Sequence, residues 1–329
     1  MGNFKYSVLD LATVIEGHTI ADTFKYSVAN ARQAEALGYT RYWFAEHHNM
    51  INVASSATSL LIGHIAANTS GIRVGSGGIM LPNHSPLVIA EQFGTLETLY
   101  PGRIDLGLGR APGSDQATAF AIRGENMNAA FHFPQDLESL QHYFAGDHPN
   151  NISAVPGEGL DIPIWILGSS LDSARLAAAK GLPYAFASHF APTYFLAAIE
   201  LYRQTFKPSK YLAEPYVLAC VNVVVADTDH EAEYLATSLK QLFRGIITGR
   251  RQLLPPPVEK MDDIWSPAER DAAMQMLTYS FTGSKPTVET QLKDFISRTG
   301  INEIMATSHL YDQNARLKSY RLLAEALKT

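Results

Sequence analysis

Two adjacent histidines beside a carboxylate form the first group of residues in the sequence whose types suit catalysis. Glu46, His47 and His48 directly follow an apolar run that is typical of a strand. One imidazole there is suited to general acid or base catalysis near neutral pH, oriented by Glu46 or by a backbone group. A metal site is a second interpretation, although adjacent side chains on an extended chain point in opposite directions. Two half-buried histidines satisfied by hydrogen bonds are the structural alternative.

An arginine and a serine indicate a site for a phosphate. Arg110 follows Gly107 and Gly109, which leave room for a ligand, and its guanidinium suits a phosphate bidentately. Ser170 precedes a helical run at once, so it suits an N-cap, and a helix N-terminus with hydroxyl groups also binds anions. Because the two residues follow consecutive strands, we expect them to converge on one phosphate. A structural ion pair is the alternative for Arg110.

Glycines interrupt a strand-like run at residues 75–78. Glycine inside a strand weakens it and often marks a close approach of the backbone to a ligand. A flat ring lying against the strand is the functional interpretation. A β-bulge at a barrel corner is the structural one.

The elements that must position these residues alternate along the chain. Short apolar runs predict strands at 6–9, 39–45, 72–81, 104–109, 162–168, 184–188, 216–226 and 303–307. Amphipathic runs predict helices at 19–37, 55–68, 87–99, 171–180, 192–206, 230–247, 286–298 and 315–327. Eight alternating pairs predict a (β/α)8 barrel, with an open doubly wound sheet as the rival. Residues 249–276 predict an irregular insertion before the last strand, and residues 147–161 predict a loop.

Bulk composition narrows the class of protein. The chain has 329 residues, of which 46% are hydrophobic, and its net charge is −6. We therefore expect one barrel domain over residues 1–329 that binds no nucleic acid. The sequence shows no signal pattern and no 18-residue apolar stretch, so we expect no membrane association. Cys220 is the single cysteine, which fits a reducing compartment and predicts the cytoplasm.

Four stretches together resemble the bacterial-luciferase-like, flavin-dependent monooxygenases. They are residues 42–48 (Tyr-Trp-Phe-Ala-Glu-His-His), 72–82, 101–110 and 164–170, with a weaker match at 281–284 and Val288. They span nearly the whole chain in the right order. The resemblance is closest to uncharacterised oxidoreductase members of the family rather than to a light-emitting subunit.

This resemblance implies a (β/α)8 barrel, usually a homodimer, that binds reduced FMN delivered by a separate reductase. Oxygen adds to the flavin to give a peroxide, which oxidises a small organic molecule. His47 matches the catalytic histidine, and Gly77 and Gly78 match a cis peptide against the flavin ring. Arg110 and Ser170 match phosphate-binding residues. The other cofactor-binding residues implied at that end are Leu167, Ser169, Leu171 and Ser173.

Some positions depart from the luciferase pattern. The luciferase subunit has a glutamate at the position of Ser169 and a histidine at that of Ser85, which His84 precedes here. A reactive thiol near the flavin falls at Gly109. The phosphate site after strands four and five also differs from the usual barrel site after strands seven and eight.

The sequence leaves three hypotheses for the function. The first is an FMN-dependent monooxygenase, with His47 managing protons in a dry pocket. Its substrate would lie under loops that include Asp10, His309, Tyr311 and residues 255–257. The second is an F420-dependent oxidoreductase that transfers hydride on the same barrel. The third is a flavin-binding protein without catalysis.

Overall fold

The computed structural model describes residues 4–111, 113–147 and 151–328. Its strands are β1 (Lys5–Asp10), β2 (Arg41–Phe44), β3 (Arg73–Met80), β4 (Ile104–Gly109), β5 (Ile164–Gly168), β6 (Tyr184–Phe186), β7 (Val217–Ala226), β8 (Ser280–Ser284) and β9 (Glu303–Thr307). Its helices are α1 (Ile20–Ala36), α2 (Thr58–Ala67), α3 (Pro86–Leu99), α4 (Gln116–Arg123), α5 (Phe133–Ala145), α6 (Leu171–Lys180), α7 (Phe195–Thr205), α8 (Asp229–Thr248), α9 (Pro267–Met276), α10 (Lys285–Thr299) and α11 (Gln313–Lys328).

Eight parallel strands close into a barrel. They run in the order β1 to β7 and then β9, which pairs with both β7 and β1. The pairing of Tyr184 with Val217 joins β6 to β7, so the sheet has no open edge between them. The predicted barrel is therefore confirmed, and the open doubly wound sheet is wrong. All eight predicted strands are barrel strands.

One strand lies outside the barrel. β8 pairs with the last five residues of β7, from Asn222 to Ala226, beyond the part of β7 that pairs with β6. The strand prediction missed β8, because Ser280–Ser284 is short and mixes polar residues with a glycine.

The eight predicted helices are present, but three further helices were not predicted. α4 and α5 lie between β4 and β5, and α9 lies in the insertion before β8. The prediction that residues 249–276 are irregular throughout is therefore wrong for their second half. Ser266 and Glu269 form a capping box around Pro267, a signal in the sequence that predicts α9. Of the predicted loop at 147–161, residues 148–150 lie outside the described residues, and 151–161 form no α-helix or strand.

Two apolar layers hold the barrel. The inner layer fills it with side chains that include Leu9, Trp43, Trp165 and Met305. The outer layer packs the other faces of the strands against the helices, as with Val8 and Tyr42. The period of two along each strand divides the residues between the layers. In the part of the chain that the structure describes, no helix has the length and apolarity needed to span a membrane.

The amino ends of the strands enclose a buried ionic network. Arg41 lies between Asp105 and Glu303, with Nη1 2.7 Å from Asp105 Oδ2 and Nε 2.8 Å from Glu303 Oε1. Asp105 also accepts from Arg73 at 2.7 Å and from Trp43 Nε1 at 3.0 Å, and Glu303 accepts from Tyr216 at 2.8 Å and from Ser7 Oγ at 2.5 Å. Every charge here has a partner, so this end of the barrel is built for stability.

Candidate active site

The carboxyl ends of the barrel strands meet beneath three connected loops. The β1–α1 loop pairs with the β2–α2 loop through Thr13 and Val53, and with the insertion through Ile15 and Leu254. Arg251 adds a hydrogen bond of 2.9 Å to the Asn49 side chain. The first part of the insertion is thus tied to the loops at this end, which we call the mouth.

Glu46 organises the loops after β2 and β3. Its buried carboxylate accepts hydrogen bonds from His48 Nε2 at 2.8 Å, His84 Nε2 at 2.9 Å, Asn83 Nδ2 at 3.1 Å and the Met80 N–H at 2.9 Å. Burial alone would raise the pKa of Glu46, but these bonds and the nearby His84 lower it to about 2. The carboxylate is therefore ionised at neutral pH and fixes both histidines. His48 thus fits the structural alternative of a histidine satisfied by hydrogen bonds.

His47 contributes no Nδ1 hydrogen bond to this cluster. Its Nδ1 is buried and has no hydrogen-bond partner among the described residues. Burial lowers the pKa of His47, against smaller opposing effects of the Gly113 carbonyl and Glu46. The ring is therefore neutral at pH 7 and has one nitrogen available to a ligand.

Two further buried histidines lie at the mouth. His309 follows β9, and its ring nitrogens contact Thr13 Oγ1 at 3.2 Å and Thr307 Oγ1 at 3.3 Å. His189 follows β6, is 8% exposed, and has an unpartnered Nδ1. Burial first, then the proximity of His309 and His47, lowers the pKa of His189 to about 3. Burial also lowers the pKa of His309, to about 4. The sequence analysis missed His189, although its place just after a predicted strand was a usable signal.

The glycines of β3 lie at an irregularity in the sheet. The register between β3 and β4 shifts between Ser76 and Ile79, which confirms the bulge, and the Gly77–Gly78 peptide bond is cis. A Cβ on Gly77 would lie 2.8 Å from Leu9 Cδ1, and one on Gly78 would lie 2.7 Å from the Gly107 carbonyl oxygen. A side chain at position 78 would therefore collide with the backbone of β4, whereas one at position 77 would require Leu9 to move. Contact of this bond with a flavin stays a prediction.

The predicted phosphate residues lie together at the mouth. Arg110 Nη1 is 3.7 Å from Asp172 Oδ2 in the first turn of α6, so the guanidinium reaches this helix N-terminus. Ser170 caps α6, and its oxygen accepts from the Ser173 N–H at 3.4 Å. Ser173 Oγ in turn contacts Tyr184 OH at 3.0 Å. Arg110 thus reaches the helix that Ser170 caps, and the ion pair proposed as the alternative is present. Convergence of Arg110 and Ser170 on one phosphate stays a prediction.

The remaining predicted residues differ in their surroundings. Ser169 and Leu167 are half-buried at the end of β5, and Leu167 packs against the inner layer. Leu171 packs against the outer layer.

Asp10 does not line the mouth, so this expectation was wrong. Asp10 is fully buried outside the barrel, where it accepts from Ser27 Oγ at 2.6 Å, the Ala12 N–H at 2.9 Å, Tyr42 OH and Arg316 Nη2 at 3.1 Å. Because Leu9 faces inward, the next residue must face the helices. Tyr311 lines a separate cavity of about 320 Å³ with His18 and Tyr26.

A larger cavity of about 610 Å³ lies between α8 and the insertion. Its walls include Arg244, Arg250, Pro255 and Pro256. Its lining residues come from the β1–α1 loop, α8 and the insertion, and they include Pro255 and Pro256. The position of residues 255–257 over the substrate stays a prediction.

Comparison with known proteins gives the class of the barrel. The sequence profile described as luciferase-like monooxygenase matches residues 4–301. A protein of Escherichia coli strain K12 described as a luciferase-like monooxygenase is 52% identical over 318 residues, which cover 96% of this chain and 95% of that protein. The N-acetyl-S-alkylcysteine monooxygenase of Bacillus subtilis strain 168 is 32% identical and covers 98% of both chains. The chain belongs to the luciferase-like monooxygenase family.

Solved structures share the fold over the full length. Apo-MsnO8 superposes with a TM-score of 0.88 at 37% identity and covers 99% of both chains. The oxygenating constituent of 3,6-diketocamphane monooxygenase from Pseudomonas putida, solved with FMN, gives 0.75 at 18% identity over 98% of this chain and 97% of that one. An F420-dependent secondary alcohol dehydrogenase gives 0.69 at 12% identity over 99% of this chain and 100% of that one. The barrel thus has structural neighbours that bind FMN and others that bind F420.

Proposed function

We propose that the protein is a flavin-dependent monooxygenase that uses reduced FMN and O2 to oxidise a small organic substrate. The observation that carries the proposal is the position of Arg110 at the N-terminus of α6, at the mouth that also holds the unpartnered His47. FMN has an anionic phosphate and a flat ring, and these two features match the two parts of this site. The membership of the monooxygenase family supports the reaction class.

The residues at the mouth fit FMN in charge and shape. The Arg110 guanidinium and the N-terminus of α6 suit a phosphate dianion in charge. The cis peptide bond between Gly77 and Gly78 is the part of this site that we assign to the flavin ring. The buried Nδ1 of His47 requires a polar partner, which a bound cofactor or substrate supplies.

Each part of the chain has a separate task in this proposal. A reduced flavin supplies two electrons, so that one oxygen atom of O2 enters the substrate and the other leaves as water. Arg110, Ser170 and Ser173 bind the phosphate end, with Leu167, Ser169 and Leu171 beside them. His47 accepts or donates a proton at Nδ1, and its low pKa keeps it neutral and able to accept at pH 7. The loops joined by Thr13 and Leu254 exclude water.

The second candidate is hydride transfer with F420 on the same barrel. The shared fold of the F420-dependent alcohol dehydrogenase supports it. For the monooxygenase we further propose a separate reductase as the source of reduced FMN, a homodimer, and the cytoplasm, which the single cysteine favours.

An anaerobic titration separates the two candidates. The purified protein is titrated with reduced FMN and, separately, with reduced F420, and each mixture is then exposed to O2. We expect tight binding of reduced FMN and a rate of reoxidation that differs from that of free FMN. Tight binding of F420 with no reaction with O2 would contradict the proposal and support the alternative.

A further inference from the structure

We propose that His189 binds the substrate, by donating a hydrogen bond from Nδ1 to a carbonyl oxygen of a neutral molecule. This inference rests on the proposed function, because it places the substrate in the same mouth. It adds the residue that selects the substrate and the chemical class that this residue selects.

The backbone around His189 is held rigidly from β7. Asn222 Nδ2 donates to the His189 carbonyl oxygen at 2.7 Å, and Ser188 Oγ donates to the Cys220 carbonyl oxygen at 2.6 Å. The Phe190 ring packs edge-on against the imidazole, with centroids 4.8 Å apart. The ring therefore has a fixed position, as a residue that selects a ligand requires.

The three histidines His47, His189 and His309 of the mouth differ in their hydrogen bonds. Both ring nitrogens of His309 contact threonine hydroxyls, so His309 is satisfied by the protein. Nδ1 of His189 and Nδ1 of His47 are buried without a partner among the described residues, and Asn222 Oδ1 beside His189 is in the same state. Buried polar atoms are rarely left unpaired, and where they are, a ligand or catalytic role is a frequent reason.

Charge at the mouth favours a neutral partner. Burial and the mutual proximity of His189, His309 and His47 keep His189 uncharged at pH 7. The Arg316 guanidinium is bound to Asp10 outside the barrel, and Arg110 lies at the α6 end. His48 and His84 are both bound to Glu46. The titratable neighbours that shift the pKa of His189 are His309 and His47 rather than a lysine or arginine, so a carboxylate or sulfonate would have no counterion beside it among the described residues.

Donation by His189 then selects a carbonyl group over a hydrocarbon. The Nδ1–H donates to the carbonyl oxygen, while the unpartnered His47 stays available for proton transfer. A site built around a buried hydrogen bond rejects an analogue that lacks the partner atom far more strongly than an apolar pocket rejects a change of size. We therefore expect ketones to bind at least about tenfold more tightly than hydrocarbons of the same shape.

Binding of matched probes to the FMN-loaded protein tests this inference. The probes are cyclohexanone, 2-hexanone and 2-octanone, each paired with the hydrocarbon in which a CH2 group replaces the carbonyl oxygen. Affinities are measured by calorimetry for the wild type, for His189→Asn, which keeps a nitrogen donor near Nδ1, and for His189→Phe, which keeps the ring shape alone. The surface variant His230→Phe is the control.

The expected result is a preference for at least one ketone in the wild type, His189→Asn and His230→Phe, and loss of that preference in His189→Phe. A preference that persists in His189→Phe, or no preference in the wild type for any probe pair, would overturn the inference. FMN affinity, measured by flavin fluorescence on the same variants, separates the two proposals. If the wild type does not bind FMN, the proposed function is refuted. If the wild type binds FMN but shows no preference for ketones, the role of His189 is refuted.

Discussion

The two ends of the barrel differ in how completely their ionisable side chains are paired. At the amino ends of the strands, Arg41 is enclosed by Asp105 and Glu303, and each carboxylate has further donors. At the mouth, the rings of His47 and His189 each have a buried nitrogen without a partner in the described chain. The amino end therefore stabilises the fold, and the mouth keeps hydrogen-bonding capacity for ligands.

Glu46 shows that the mouth is nevertheless rigid. Its carboxylate has four donors and fixes His48 and His84, while Nδ1 of the neighbouring His47 has no partner among the described residues. Adjacent residues on an extended chain point in opposite directions, so one loop can supply both the support and the reactive group. A polar group whose hydrogen bonds are all made and one with a nitrogen left unpartnered are thus adjacent in the sequence.

Removing Arg41 gives the largest expected effect on stability. Arg41→Met leaves Asp105 and Glu303 buried without their main partner, which costs about 3–5 kcal/mol in the free energy of unfolding. Urea denaturation followed by circular dichroism measures it. Arg321→Met breaks an exposed ion pair with Glu325 and should cost less than about 1 kcal/mol. Equal costs for the two variants would show that the amino end is not the stabilising region.

Removing the charge of Glu46 tests the rigid part of the mouth. The pKa of Glu46 lies near 2 in the folded protein, below its ordinary value of 4.5. The ionised group therefore contributes about 3 kcal/mol above pH 4.5, and this contribution is lost as the pH falls towards 2. Glu46→Gln should accordingly be less stable than the wild type at pH 7, and the difference should shrink below pH 4.5. Unfolding curves at pH 7 and pH 3 measure it, with the exposed Glu325→Gln as the control.

A difference between the wild type and Glu46→Gln that is the same at both pH values would contradict the role of the Glu46 charge. The hydrogen bonds of Glu46 would then stabilise the protein without any contribution from its negative charge.

Replacing Arg110 tests the part of the mouth that keeps hydrogen-bonding capacity for a ligand. Arg110→Ala should weaken binding of FMN about ten- to hundredfold, because a charged hydrogen bond to the phosphate is lost, and should leave riboflavin unchanged. Arg175→Ala is the matched control, because Arg175 also pairs with Asp172, at 3.1 Å. Flavin fluorescence titration measures both. If FMN and riboflavin weaken equally, Arg110 has a structural role.

The smallest expected effect is on stability, when the N-cap side chain of α8 or of α6 is removed. Thr228 caps α8 and accepts from the Glu231 N–H at 3.1 Å, whereas the Ser170 bond at α6 is longer, at 3.4 Å. Thr228→Ala should cost about 1 kcal/mol in stability and should not change FMN affinity. Ser170→Ala should cost less in stability but should weaken FMN binding. The reverse pattern in thermal unfolding and FMN titration would mean that Ser170 is an ordinary cap.

Periodicity predicted the barrel well, because buried parallel strands are nearly continuous apolar runs. β7, Val217–Ala226, is buried at every residue and was predicted almost to its bounds. β8 was missed because its five residues carry no such run, and the weak match at 281–284 alone pointed to it. α9 was missed although its capping box was visible in the sequence.

The site was partly predictable for a different reason. We selected His47, Arg110 and Ser170 because each follows a predicted strand. The carboxyl ends of all strands of a barrel lie on one face, so these residues were expected at the same end. The same rule misplaced Asp10, because it does not say whether a residue faces inward or outward, and the inward side chain is Leu9. The missing partners of His47 and His189 depend on packing between distant segments, which no local pattern encodes.

The crystal structure of the protein with FMN tests the central claim most directly. We predict the phosphate between Arg110 and the N-terminus of α6, and the flavin ring against Gly77 and Gly78 with His47 beside it. A phosphate at the carboxyl ends of β7 and β9, the usual place in such barrels, would contradict the account.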